Sequence, residues 1–107
     1  MIKIRETWTP ALPPVPERDL QEIAAVADGE FYETCACFWL FRCLHRSASP
    51  EATLEGDYCF GRFSHHLSAL DSVALTDAFA DFLRRDTVER QTMAQYLAFI
   101  RSAGALI

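Results

Sequence analysis

The chain has 107 residues, half of them hydrophobic and 12% aromatic, with a formal net charge of −5. That length sets one domain as the default, and the composition is too apolar for a disordered chain. The acidic balance, spread over both halves, excludes a general phosphate-binding surface and with it nucleic acid as an expected partner. A domain this small hides only roughly two-thirds of its unfolded surface, so the composition asks where so much apolar surface goes.

The start, Met1-Ile-Lys-Ile-Arg-Glu6, has no long apolar run, so no secretory leader is expected. The longest apolar run, Cys35 to Phe41, is far short of the roughly 20 residues that a membrane span needs. A cytoplasmic chain with no transmembrane segment is the expectation. Without a leader the four cysteines, Cys35, Cys37, Cys43 and Cys59, read as buried thiols rather than a disulfide framework. Zinc is the alternative, with His45, His65 and His66 as further ligands. There is no C-x-x-C pair, and Cys35 and Cys37 point about 200° apart on a helix, so no metal site is expected.

Residues 1–16 hold Pro10, Pro13, Pro14 and Pro16 and read as an extended arm, with Trp8, Leu12 and Val15 to bury. Everything after it reads as helix, giving one domain over 17–107. Glu17 and Asp19 suit the start of a first helix carrying Leu20, Ile23, Ala24 and Ala27, and Asp28-Gly29 marks a stop or a kink. From Glu30 to Arg46 apolar residues cover nearly every face, and Glu33, Thr34, Arg42 and His45 leave only a narrow polar line. A helix apolar all round is a buried helix. Five short helices offer few neighbours to surround it, so part of this wrap, with Phe38, Trp39 and Phe41 as candidates, is expected to face another chain.

Ser49 and Pro50 open a third helix running to about Leu70, with Gly56, Cys59, Phe60, Phe63, Leu67 and Leu70 on one stripe. Gly56 and Gly61 inside it point to close helix contact, since each costs about 1 kcal/mol against Ala. Asp71-Ser72 begins a fourth helix with Leu75, Phe79, Phe82 and Leu83 inward, ending near Arg84 and Arg85. Asp86-Thr87-Val88-Glu89 reads as the cap of a fifth, which carries Val88, Met93, Tyr96, Leu97 and Ile100 and stops at Gly104. The fold class is therefore all-α, a bundle of about five helices behind an extended Pro-rich arm.

No catalytic set emerges. Asp77 and Asp81, four apart, read as a solvated face. His65 and His66 point about 100° apart on a helix and have no placed acid–base partner. Cys43 beside Arg42 and Arg46 is the one candidate for a nucleophilic thiol.

The stretch Glu51-Ala-Thr-Leu-Glu-Gly-Asp-Tyr-Cys-Phe-Gly-Arg-Phe-Ser-His-His-Leu-Ser-Ala-Leu70 resembles a helix of trans-polyprenyl diphosphate synthases. It is more similar still to the small, non-catalytic subunit (component 1) of the two-component heptaprenyl and hexaprenyl enzymes. Leu54, Gly56, Asp57, Tyr58, Gly61 and Phe63 stand at the matching positions. The resemblance implies half of an isoprenoid-synthase-like assembly and a catalytic partner subunit. That partner carries the Asp-rich motifs and Mg²⁺, and this chain carries no cofactor. It also implies a part in setting product length, with Phe60, Phe63 and Leu67 as the floor of a hydrophobic tunnel. The alternative is a stand-alone helical interaction module that pairs with itself and has no enzymatic role.

Overall fold

The computed structural model describes residues 15–47 and 49–107. They form α1 (Glu17–Ala24), α2 (Gly29–His45), α3 (Pro50–Leu70), α4 (Val73–Val88), α5 (Met93–Ala103) and a closing 3-10 turn, Gly104–Leu106. No strand occurs among the described residues. The five-helix, all-α architecture is as expected. Most of the Pro-rich arm, including Trp8 and Leu12, lies outside the described residues, whereas Val15 packs against the cluster that Leu40, Leu44, Ala52 and Cys59 form.

Local chemistry sets the helix boundaries. Gly29 holds φ +56°, a left-handed conformation that a Cβ disfavours, and so lets α1 turn sharply into α2. The Ser49 hydroxyl accepts the Ala52 N–H at 3.0 Å, with Pro50 in the first turn of α3. The Ser72 hydroxyl accepts the Leu75 N–H at 3.1 Å and starts α4. Asp71 ends α3 in the left-handed region, at φ +49°.

The α4–α5 boundary departs from expectation. Helix α4 runs on through Val88, and α5 begins only at Met93. Thr92 and Gln95 form a reciprocal capping box: Gln95 N–H donates to Thr92 Oγ1 at 3.2 Å, and Thr92 N–H donates to Gln95 Oε1 at 2.7 Å. Asp86 does not cap a helix because its carboxylate is engaged elsewhere.

Helix α2 runs through the middle of the fold. Along it Phe31, Cys35, Ala36, Cys37, Phe38, Trp39, Leu40 and Leu44 are all buried. Helix α3 returns antiparallel along one side, placing Gly56 against Leu44 and His45, Phe63 against Phe38, and His66 against Glu30. Helices α4 and α5 close the other side. The Phe38 ring, 1% exposed, meets Phe63 and Phe79 at 5.2 Å, Tyr96 at 5.8 Å, Phe82 at 5.9 Å and Phe41 at 6.1 Å between centroids. Such ring pairs add about 0.5–1.5 kcal/mol each beyond the area they bury. The fully buried Tyr96 hydroxyl donates to the Cys35 carbonyl at 2.6 Å and ties α5 to α2.

The expectation that Phe38 and Trp39 face another chain is therefore corrected. Phe38 and Trp39 lie in the interior of the chain itself, because helices packed from both sides cover the faces of α2 that carry them. Even the narrow polar line is buried at Glu33, Thr34 and Arg42. Thr34 Oγ1 donates to the Glu30 carbonyl at 2.8 Å.

Arg42, 4% exposed, lies with its guanidinium 4.4 Å over the Trp39 ring. Its Nε donates to Asp86 Oδ2 at 2.6 Å, its Nη2 reaches Asp86 Oδ1 at 2.5 Å, and Nη2 also donates to the Gln91 carbonyl. The Gln91 N–H donates back to Asp86 Oδ1 at 2.8 Å. One buried cation thus ties the last turn of α4 and Gln91 of the α4–α5 connection to α2. Burial pushes the Asp86 carboxyl up, but the Arg42 hydrogen bond, the Gln91 N–H and the nearby arginine charges outweigh it, leaving the pKa below the ordinary carboxylate value.

Removing one partner of such a pair strands a buried charge. Arg42→Ala is expected to cost about 3–5 kcal/mol in urea unfolding at neutral pH. Because the folded-state pKa of Asp86 is lowered, its contribution is complete above about pH 4 and is lost as pH falls from there through the lowered value. The wild-type melting temperature should drop across that acid window. Asp86→Asn should start lower and lose less of its stability there.

Candidate functional site

The residues singled out on α3 divide between its two faces. Cys59, Phe63 and Leu67 turn inward, and Phe60 stands at the edge, 39% exposed. Across from them α4 presents Thr76, Phe79, Ala80 and Leu83. Together with Phe38 and Ser64 these residues line an apolar groove of about 250 Å³ between α3 and α4. Phe60 meets Phe41 at 4.8 Å and Phe63 at 5.7 Å, and Phe63 meets Phe79 edge-on at 5.1 Å, so a run of rings leads from the mouth to the core. Ser64 and Thr76 bring the hydroxyls, and that of Thr76 already donates to the Ser72 carbonyl at 3.0 Å. A site of this kind takes a hydrocarbon and rejects a charge, because an ion placed there would lose its water without gaining a partner.

The groove unites three expected residues, Phe60, Phe63 and Leu67, with Phe38. Phe41, half-buried, lies beside it and packs on His45 at 4.6 Å, whereas Trp39 belongs to the Arg42 and Asp19 contacts. The opposite wall, Phe79 and Leu83, was visible in the sequence as a helical stripe. Its spacing alone did not say that it faces α3.

The family-like motif is also split. Gly56 is buried, and a Cβ built there would collide with the His45 ring and stand 3.4 Å from Leu44 Cβ. The close approach expected of Gly56 is real. Gly61 differs, since among the described residues no atom lies within 4 Å of where its Cβ would stand. Leu54 is 70% exposed and Tyr58 45%. Asp57 Oδ1 lies 3.1 Å from His45 Nε2, which bridges the last residue of α2 and the first half of α3.

The remaining polar candidates occupy separate places. Arg62 Nη2 contacts His66 Nε2 at 3.3 Å, and His66 Nδ1 lies 3.2 Å from Glu30 Oε1. Arginine only donates, so Nε2 accepts and the ring proton sits on Nδ1, directed at the carboxylate. His65 is exposed beside it, with the two rings 73° apart. Asp81 pairs with Arg84 on the outside of α4, and Asp77 is exposed. Among the described residues no group of three or more His, Cys, Asp and Glu side chains is placed to hold a metal ion.

The thiols are held in their neutral form. Burial pushes Cys37 up to about 11, with the Arg62 charge and hydrogen bond opposing it, and pushes Cys59 up to about 12. Cys35 is raised further still by burial. For Cys43, burial outweighs the cations of Arg46 and Arg42, so the environment read as activating does not yield a ready thiolate. Comparisons with protein-family models, with curated proteins and with solved structures found no match for this chain.

Two outcomes check this geometry. Gly56→Val should destabilise the chain by about 2–3 kcal/mol in urea unfolding, because the new side chain drives into the end of α2. With an aromatic disulfide reagent at pH 8, Cys35, Cys37 and Cys59 should stay unlabelled in the native chain, since the thiolate fraction of Cys37 there is about one in a thousand. All four thiols should label in denaturant.

Proposed function

We propose that the chain is a non-catalytic helical subunit that pairs with an Asp-rich catalytic subunit in all-trans polyprenyl diphosphate synthesis and helps to set product length. The observation that carries this reading is the groove. The helix that resembles the synthase subunits contributes Phe60, Phe63 and Leu67 to one apolar channel with Phe79 and Leu83 of α4. A growing isoprenoid is a hydrocarbon tail behind a charged head. This chain would provide wall for the tail, while the head and its Mg²⁺ stay on the catalytic subunit. Length control then follows from bulk: a ring at the mouth stops a tail that a smaller side chain would let pass.

The test is to co-express the chain with a catalytic subunit bearing Asp-Asp-x-x-Asp motifs encoded in a neighbouring reading frame, and to read product length by mass spectrometry. The two should co-purify, and adding this chain should shift the product distribution. Phe60→Ala, at a half-exposed position, should lengthen the product by at least one isoprene unit, and Phe60→Trp should shorten it. No complex, or a complex whose products ignore both substitutions, would sink the reading.

A further inference from the structure

Three arginines converge where the end of α2 meets the α4–α5 connection. Arg42 and Arg46 are four apart, so they share one face at the end of α2. Arg42 Nη2 donates to the Gln91 carbonyl, and Arg90 directly precedes Gln91. The half-buried Cys43 lies among all three: after its burial, the charges acting on it are Arg46, Asp19, Arg42 and Arg90. The Arg46 pKa is lowered from its ordinary value, first by partial desolvation and then by the charges of Arg42 and Arg90.

The nearby carboxylates are already engaged. Asp86 accepts from Arg42 and from the Gln91 N–H, and Asp19 accepts the Trp39 indole N–H. Among the described residues no carboxylate forms an ion pair with Arg46 or Arg90, although Glu89 stands next to Arg90 in the chain. Arg42 itself keeps one donor unused. Its flat fork sends Nε and one side of Nη2 to Asp86, and the outer side of Nη2 to the Gln91 carbonyl. Nη1 shares that outer edge. It is buried, in a side chain only 4% exposed, and has no acceptor among the described residues.

We infer that Arg42, Arg46 and Arg90 form a binding site for one small oxyanion of the phosphate class. Arg46 and Arg90, both exposed, close on the ion from the solvent side, and an oxygen between them offers Arg42 Nη1 its missing acceptor. Two guanidiniums without counter-ions match a doubly charged anion, whereas a carboxylate would leave one of them unopposed. The planar fork of arginine also suits the paired oxygens of a phosphate. The acidic balance of the chain excludes a general phosphate-binding surface, and one local site is compatible with it. The inference stands apart from the prenyl reading, because these three residues lie outside the groove and the test uses this chain alone.

Isothermal titration of the full chain with inorganic phosphate at pH 8, in chloride buffer of fixed ionic strength, should show one saturable site. Arg46→Gln and Arg90→Gln, both at exposed positions, should keep native circular dichroism and each weaken binding at least about tenfold, which is about 1.4 kcal/mol. Arg101→Gln, at the other end of α5, should leave binding unchanged. Acetate at the phosphate concentration should not displace it. Titration with glycerol phosphate separates two sources of the same chemistry: tighter binding than inorganic phosphate assigns an organic phosphate ester, and weaker binding assigns the free ion. An absence of saturable phosphate binding, displacement by equimolar acetate, or binding indifferent to both Arg46→Gln and Arg90→Gln overturns the inference.

Discussion

The structure is organised by one constraint: a 17-residue helix, α2, that is apolar on almost every face and must be covered from all directions. A single neighbouring helix can hide only one stripe of it. Helix α3 lies along one side, and α4 and α5 deliver Phe79, Phe82 and Tyr96 to the other. Phe38 meets rings on α3, α4 and α5, so the position of each helix is fixed partly through a common neighbour. The surplus of hydrophobic residues is mostly consumed here, inside the chain.

Covering α2 forces a polar problem, because its last turns bring Arg42 indoors. The chain answers with Asp86 from the last turn of α4, with the Gln91 carbonyl from the α4–α5 connection, and with the Trp39 ring beneath the guanidinium. A buried ion pair is weak evidence of net stability against an apolar substitute. What it does in this fold is geometric: it ties the end of α4 and Gln91, just before α5, to α2, while the Tyr96 hydroxyl ties α5 to the Cys35 carbonyl.

The helices were legible because local signals and periodicity agree. Ser49 with Pro50, Ser72, and the stripe of Cys59, Phe63 and Leu67 each indicate both an element and a facing direction. The α4–α5 boundary misled because two capping patterns compete over a short stretch. Asp86-x-x-Glu89 and Thr92-x-x-Gln95 both fit the rule, and the buried Arg42, 44 residues away, takes the first one out of play. No local reading contains that information. The burial of α2 was misjudged by estimating the number of available neighbours rather than their reach, since phenylalanine and tyrosine rings extend cover across gaps that backbone spacing leaves open. The groove was half legible: its α3 wall could be named, but which stripe of α4 faces it depends on packing. Gly56 and Gly61 look alike in sequence, yet one lies under His45 and the other opens outward.

Trp39 has a consequence for how the molecule can be watched. Its Nε1 donates to Asp19 Oδ2 of α1 at 2.9 Å, its ring stacks on Tyr96 of α5 at 4.9 Å, and the Arg42 guanidinium covers it. One indole therefore contacts three parts of the chain that reach it separately: α1, α5 and the charged lock on the α4–α5 connection. With Trp8, the other tryptophan of the chain, replaced by phenylalanine, its emission is an intrinsic optical gauge of tertiary assembly. Release of α1 frees the indole N–H from a carboxylate, and release of α5 removes the stacked phenol, so partial undocking at either end is written in the colour and intensity of one fluorophore.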